Sequence, residues 1–286
     1  MYRYSTSSNQ SAYRSNAPLS NEQIAHYAPS VLASEAHESR GERYTFIPTI
    51  DVLDGLRREG FQPFEVRQTR VRDHSKREHT KHLVRLRHES TIVSKEEVPE
   101  IILLNSHDGT SSYQLLSGFF RFVCSNGLIA GDICNDIRVR HSGNVVDNVI
   151  EGAVRVLDNV EEIAGRIDTY KAITLAPQEQ QVFANAALQL RWDDKAPVEA
   201  DQVLRTRRWA DNKADLWTVF NRVQENLLKG GLSGRTTTGR RTHTRGVGGV
   251  TENVKLNRAL WTLADGLASL KGAVVNVEEI QELVAA

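Results

Sequence analysis

The alternation of apolar and polar positions divides the chain into three stretches. Residues 1–40 show no sustained apolar period, and six of the first twenty are serine. They read as a flexible polar arm with one short helix over Asn21 to His26. Order is expected to begin at a short strand, Tyr44-Thr-Phe-Ile-Pro. Thr49 then serves as N-cap of a helix with Asp51 in its first turn, ending at Gly60. Three strands follow, over 62–72, 81–89 and 100–106. The second alternates, with Val84 and Leu86 on one side and Leu83, Arg85 and Arg87 on the other. The third, Ile101-Ile-Leu-Leu, is apolar throughout and reads as an inner strand.

From Asp108 the pattern predicts a helix carrying Tyr113, Leu115, Leu116, Phe119, Phe120 and Val123, stopped at Asn126-Gly127. A second hairpin is expected over 128–130 and 137–139. Beyond Val145 the period is helical, with helices over 145–170, 178–192, 200–209, 214–228 and 252–270. Phe119, Phe120 and Trp217 read as core. Strands first and helices after predict an α+β fold: an N-terminal antiparallel β-sheet with a packed helix, then a helix-rich C-terminal half. The expected regions are a polar arm (1–40), a β-rich core with a basic hairpin (41–144) and a helical region (145–286).

Composition adds exclusions. The 286 residues are 40% apolar and 25% charged, so a packed core is expected. Lys+Arg and Asp+Glu both total 36, which excludes a uniformly basic nucleic-acid coat. The longest apolar runs are far short of the ~20 residues that span a bilayer. The start, Met1-Tyr-Arg-Tyr-Ser, lacks the apolar core of a secretory signal. Cys124 and Cys134 form no disulfide framework and read as buried thiols. A cytoplasmic protein without membrane contact is the expectation.

Charge is segregated, however. Between Arg67 and His88 there are eight basic and two acidic residues, a local excess of +6, together with four histidines. Arg67, Arg70, Arg72, Lys76, Arg77, Lys81, Arg85 and Arg87 would form a basic ribbon if the two strands pair. Arginine forks onto phosphate oxygens, so such a ribbon can track a nucleic-acid backbone. The competing reading is a solvated hairpin whose charges discourage edge pairing. The second concentration lies in 229–250. Residues 229–245 hold four glycines, five basic residues (Lys229, Arg235, Arg240, Arg241, Arg245) and no acid. Its glycines would let backbone N–H groups approach phosphate, with Thr236 to Thr238 as hydroxyl donors. The alternative is a flexible linker. A loop of some twenty residues without structure is usually functional or disordered.

Other motifs fail on spacing. Gly230-Gly-Leu-Ser-Gly-Arg-Thr lacks the lysine and preceding strand of a phosphate-binding loop. His37-Glu38 and His88-Glu89 have no second histidine at zincin spacing, and Cys124, Cys134, His107 and His141 match no zinc pattern. Asp108-Gly109 reads as turn chemistry. Ser106, His107 and Asp108 are consecutive, which is not triad geometry. Tyr2, Tyr4 and Tyr13 could stack on bases or on a neighbouring subunit, or simply decorate the arm. No catalytic residue, metal or cofactor is expected.

Four longer segments carry a resemblance: Asn105-Ser-His-Asp-Gly-Thr-Ser-Ser-Tyr-Gln114, Phe120-Arg-Phe-Val-Cys-Ser-Asn-Gly-Leu128, the run from Phe220 to Arg235, and Val254-Lys-Leu-Asn-Arg-Ala-Leu-Trp261. Together they resemble the YfjQ/YafZ type, a family of uncharacterised proteins carried by phages, conjugative plasmids and cryptic prophages of enteric bacteria. The resemblance runs from about Tyr44 to Leu270. It implies a mobile-element protein of a bacterial cytoplasm and brings no catalytic residues to carry over. By analogy alone, a β-hairpin and third strand followed by a helix is similar to the core of single-strand annealing proteins of the RecT and Red-beta type. The functional expectation is a non-enzymatic single-stranded DNA-binding protein that assists annealing or recombination, forming a homo-oligomeric ring or filament. The alternative is an interaction protein that inhibits a host defence or regulatory factor.

Overall fold

The computed structural model describes residues 11–41, 44, 46–71, 73–91, 97–122, 126–129, 137–139, 145–158 and 160–273. In chain order the elements are β1 (Ala12–Arg14), α1 (Asn21–Tyr27), α2 (Thr49–Arg58), β2 (Phe61–Gln68), β3 (His82–His88), β4 (Glu97–Asn105), β5 (Tyr113–Arg121), β6 (Asn126–Ile129), β7 (Ile137–Val139), α3 (Val145–Asp158), α4 (Val160–Ala172), α5 (Pro177–Trp192), α6 (Ala200–Val203), α7 (Leu216–Lys229), β8 (Ser233–Arg235), β9 (Arg241–His243) and α8 (Val250–Leu270). The α+β order is as expected. Two units divide the chain: Met1–Gly118 with Asp136–Leu157, and Phe119–Asn135 with Asp158–Ala286.

In the first unit the strands run β1-β2-β3-β4-β5, with β7 also on β5. Val84 sits opposite Val66 on one side and Leu103 on the other, so one face of the sheet is a continuous apolar row. That row packs with Val52, Leu53 and Leu56 of α2 and Val149, Ala153 and Val156 of α3. A Cβ on Gly55 would stand 2.9 Å from Ile150 Cδ1, so glycine is what lets α2 and α3 approach.

Five expectations change here. Residues 11–41 are folded onto the unit and are not a loose arm. β1 pairs with β2, and Leu19, Ile24, Ala28 and Val31 are at most 3% exposed. Ser20 and Gln23 form a reciprocal capping box on α1. Tyr13 stacks on Tyr27 at 4.4 Å. Full burial of side chains such as Ile24 and Leu19 contributes about 1.5–3 kcal/mol each towards holding the segment in place. Secondly, Tyr44, Phe46, Ile47 and Pro48 form no strand. Thirdly, the N-cap of α2 is Pro48; Thr49 is the first helical residue, and its hydroxyl turns inward. Fourthly, 113–121 is a strand and not a helix. Its apolar residues satisfy a helical period, but they also satisfy a strand buried on both faces, and pairing with β4 and β7 decides between them. Fifthly, strands β6 and β7 both neighbour β5 instead of forming a hairpin with each other.

The second unit is helical. α4, α5, α7 and α8 enclose a core with Phe183, Trp217, Phe220 and Trp261. α7 is buried from Leu216 to Leu227 on every side. Its polar residues are therefore partnered within the core. Gln224 donates to Asn257 at 2.5 Å, and Asn226 donates to the carbonyls of Val203 and Arg205 at 2.8 and 2.9 Å. Asp215 caps the helix by accepting from the Thr218 N–H at 2.8 Å. The helix expected over 145–170 is matched by α3 and α4, with Asn159 between them outside the described residues. The one expected over 200–209 ends at Val203.

Candidate nucleic-acid interface

The two basic segments have different fates. In the first, β3 lies between β2 and β4, and both neighbours bring a carboxylate to its arginines. Arg85 donates to Glu100 at 2.9 Å and lies 3.5 Å from Glu65, and Arg87 donates to Glu100 at 3.0 Å. Arg87 also covers the Phe64 ring at 4.3 Å. Both arginines are 2% exposed. The expectation that they line a backbone groove is thus corrected: their charge is consumed inside the sheet. Arg67 pairs with Glu65 at 3.2 Å, and Arg14 joins the same carboxylate. Burial alone would raise the Glu65 carboxyl, but the guanidinium groups of Arg14, Arg85 and Arg67 outweigh it and hold it at about 2.

What this segment leaves in solvent is small. Arg70, Lys76 and Arg77 are exposed, beside the exposed acids Asp73 and Glu78, and Lys81 is half-buried. Arg70 reaches Ser11 at 2.9 Å. Arg72 lies outside the described residues.

The second segment is a folded hairpin. β8 and β9 pair with Ser233 opposite His243 and Arg235 opposite Arg241. The turn closes on itself: the Thr236 N–H donates to the Arg240 carbonyl at 2.9 Å, and the Arg240 N–H to the Thr236 hydroxyl at 3.2 Å. The threonines expected to serve phosphate are engaged in this turn, with Thr236 and Thr238 hydroxyls 2.9 Å apart. The base is closed by the Gly231 N–H to Thr244 O and tied to α7 by the Val247 N–H to Leu228 O, both at 2.8 Å. Gly230 turns the chain at φ +64, where a Cβ would stand 2.6 Å from the Arg245 backbone. One edge of the hairpin docks on the segment before α6, the Arg235 N–H donating to Pro197 O at 2.8 Å. A Cβ on Gly234 would lie 1.9 Å from that carbonyl.

Arg235, Arg240, Arg241, His243 and Arg245 are all exposed. Lys229 is exposed too, with its ammonium 2.7 Å from Glu225. No acid occurs between Glu225 and Glu252 in sequence. Arg235, Arg241 and His243 line a cleft of about 710 Å³ with Pro197, Glu199 and Gln202.

Sequence reasoning missed two features. The first is a buried polar hub in the first unit. The Thr49 hydroxyl lies 3.0 Å from His82 Nε2, 3.1 Å from His107 Nε2 and 3.0 Å from Asn105 Nδ2. His82 Nδ1 faces the Thr80 carbonyl at 3.1 Å and must carry the proton there. Its Nε2 then accepts from Thr49, which leaves the Thr49 oxygen to accept from Asn105 and His107. One hydroxyl so fixes opposite tautomers on two rings. Burial pushes His82 down to about 4. Asp108 takes no part in a triad: its carboxylate accepts from the Thr110 N–H at 3.0 Å in a tight turn, with Gly109 at φ +76. The signal in sequence was the density of His, Asn and Ser around 105–107, which spacing alone could not assemble.

The second is the loop 204–212, which leaves Trp209 87% exposed. It was hidden inside an expected helix. Among the described residues no group of three or more His, Cys, Asp or Glu is placed to hold a metal ion. No described helix is long and apolar enough to cross a membrane. Cys124, Cys134 and His141 lie outside the described residues.

No solved structure matches the chain. Two relatives from Escherichia coli (strain K12) do. UPF0380 protein YfjQ is 55% identical over 255 residues, covering 89% of this chain and 93% of the relative. UPF0380 protein YafZ is 54% identical over the same coverage. Residues 36–261 match the family described as Domain of unknown function (DUF932), and the chain belongs to that family.

Proposed function

We propose that the protein binds single-stranded nucleic acid, DNA foremost, without catalysing a reaction on it, and that it assists annealing or recombination of a mobile element. The observation that carries this reading is the β8–β9 hairpin. Three exposed arginines stand on this hairpin and a fourth, Arg245, just beyond β9, with no acid in the surrounding sequence. Like charges held this close repel, and a polyanion relieves that repulsion while releasing its own counterions. The interface is narrower than the sequence suggested. It comprises Arg235, Arg240, Arg241 and Arg245, with Lys229 at the base, and it excludes Arg85 and Arg87.

Fluorescence anisotropy of a labelled single-stranded oligonucleotide, titrated at several salt concentrations with a duplex control, tests the proposal. Four phosphate contacts give a log–log salt slope of about −3 for single strands. Replacing Arg240 and Arg241 by alanine reduces that slope by about 1.4. Absence of binding at low salt, or a slope indifferent to the double substitution, refutes the assignment.

A further inference from the structure

Three of the four tryptophans are placed as tryptophans usually are. Trp217 and Trp261 are in the core, and Trp192 is half-buried under the Arg191 guanidinium at 4.3 Å. Trp209 is not: 87% of it faces solvent. An indole so exposed gives up most of the burial that usually stabilises the residue.

The loop that carries it is nonetheless firmly held. Arg208 donates to Asp211 and Glu225, both at 2.5 Å. Asp211 accepts in addition from Arg121 at 2.7 Å and is 1% exposed. Arg207 donates to Asn226 and to the Gly230 carbonyl, both at 2.7 Å. The Asn226 amide in turn holds the carbonyl of Arg205. Buried carboxylates and amides therefore clamp both flanks of Trp209 while its ring stays outside. The clamp also fixes where the ring stands. Glu225 and Asn226 lie near the end of α7 and Gly230 is its C-cap, from which the basic hairpin departs. Exposed Arg205, Lys213 and Lys229 accompany it.

We infer that Trp209 is a stacking platform for an unpaired base of a nucleic-acid strand whose phosphates lie on the β8–β9 hairpin. The inference rests on the proposed function and deepens it. A base has a π-face to offer only when it is out of a duplex, so Trp209 supplies the preference for single strands that arginines alone do not. Stacking on a pre-positioned ring also avoids the entropy of ordering the loop.

The test compares wild type, Trp209→Ala, Trp209→Phe and the Arg240→Ala/Arg241→Ala double variant. The probes are a labelled oligo(dT), an abasic oligonucleotide of equal length and a duplex. Trp209→Ala is expected to weaken oligo(dT) binding about tenfold or more, the loss typical of one stacked base. The loss is equal at low and high salt and absent on the abasic strand and the duplex. Trp209→Phe retains part of the affinity. The double variant instead flattens the salt slope on all three probes. Indole emission, isolated by subtracting the Trp209→Phe spectrum, is quenched by oligo(dT) and not by the abasic strand. If Trp209→Ala binds oligo(dT) within twofold of wild type while the arginine variant fails, the stacking role falls and the hairpin stands. If wild type binds no oligonucleotide at low salt, both fall.

Discussion

The β2–β3 ribbon and the β8–β9 hairpin are equally basic in sequence and opposite in structure. The ribbon lies within a sheet whose neighbouring strands supply Glu65 and Glu100, so Arg85 and Arg87 spend their charge on buried carboxylates. The hairpin has two strands and no acid within its own stretch of sequence, and Glu199 lines the cleft beside it, yet Arg235, Arg240, Arg241 and Arg245 stay exposed to solvent. Local net charge is therefore a poor guide to surface potential wherever a strand has partners on both sides. What matters is the register opposite each cation.

The strongest challenge to this contrast is Glu100→Gln, which leaves two buried guanidinium groups short of their counter-charge. Removing one partner of such a pair costs about 3–5 kcal/mol, to be read as a lowered urea midpoint. A loss below about 1 kcal/mol on that substitution means the ribbon arginines are solvated after all. Next comes pH. Burial lowers His82 to about 4, below the ordinary imidazole value near 6.5. The unfolded chain therefore takes up a proton that the folded hub refuses. Stability is full above pH 6.5 and declines by roughly 3 kcal/mol as pH falls from 6.5 towards 4. Glu65, held at about 2, adds a further decline between about pH 4.5 and 2. Chemical denaturation across pH 3–8 shows both limbs. His82→Gln removes the upper one.

A smaller effect is expected in the hairpin. Gly234→Ala forces a methyl into the Pro197 carbonyl and unseats β8, at about 1–3 kcal/mol of overpacking. Limited trypsin digestion at Arg235, Arg240 and Arg241 should accelerate without a matching drop in the global midpoint. Smallest in stability is Arg240→Ala/Arg241→Ala, within about 0.5 kcal/mol as for other exposed substitutions. Thermal unfolding checks this alongside the salt slope. A destabilisation comparable to that of Glu100→Gln would erase the distinction between the two regions.

Much of the fold was legible because its elements carry a clear apolar period. α5, α7 and α8 follow their periodicity to within a few residues, and the alternation of Val84 and Leu86 against Arg85 and Arg87 is realised in β3. β5 was not legible, because burial on both sides erases the difference between strand and helix periods. Thr49 resembled an N-cap by its position before Asp51, and only the approach of His82 and His107 from distant strands redirects its hydroxyl. Of the site, the charge of 229–245 could be read directly. Its folded state could not, since the Pro197 and Leu228 carbonyls that organise it lie outside the segment. Trp209 stayed hidden because Asn226 draws the chain away after Val203, a pull from 23 residues further on.

The hairpin's attachment has a last consequence. The hydrogen bonds that seat it on Pro197 and Leu228 run between backbone atoms, and its base is closed at Gly231 and Thr244 by a backbone bond and by the Leu232 N–H donating to the Thr244 hydroxyl at 3.0 Å. The fixtures are mostly glycines and carbonyls; Arg235 adds a bond to the Gly239 carbonyl at 3.0 Å, and Arg240 and Arg241 are passengers on them. Scaffold and display are thereby separate variables. The outward positions can exchange cation for neutral or even acidic side chains while the ribbon keeps its shape, so the same frame can be re-lettered for a different strand, or for a different class of surface, without being refolded.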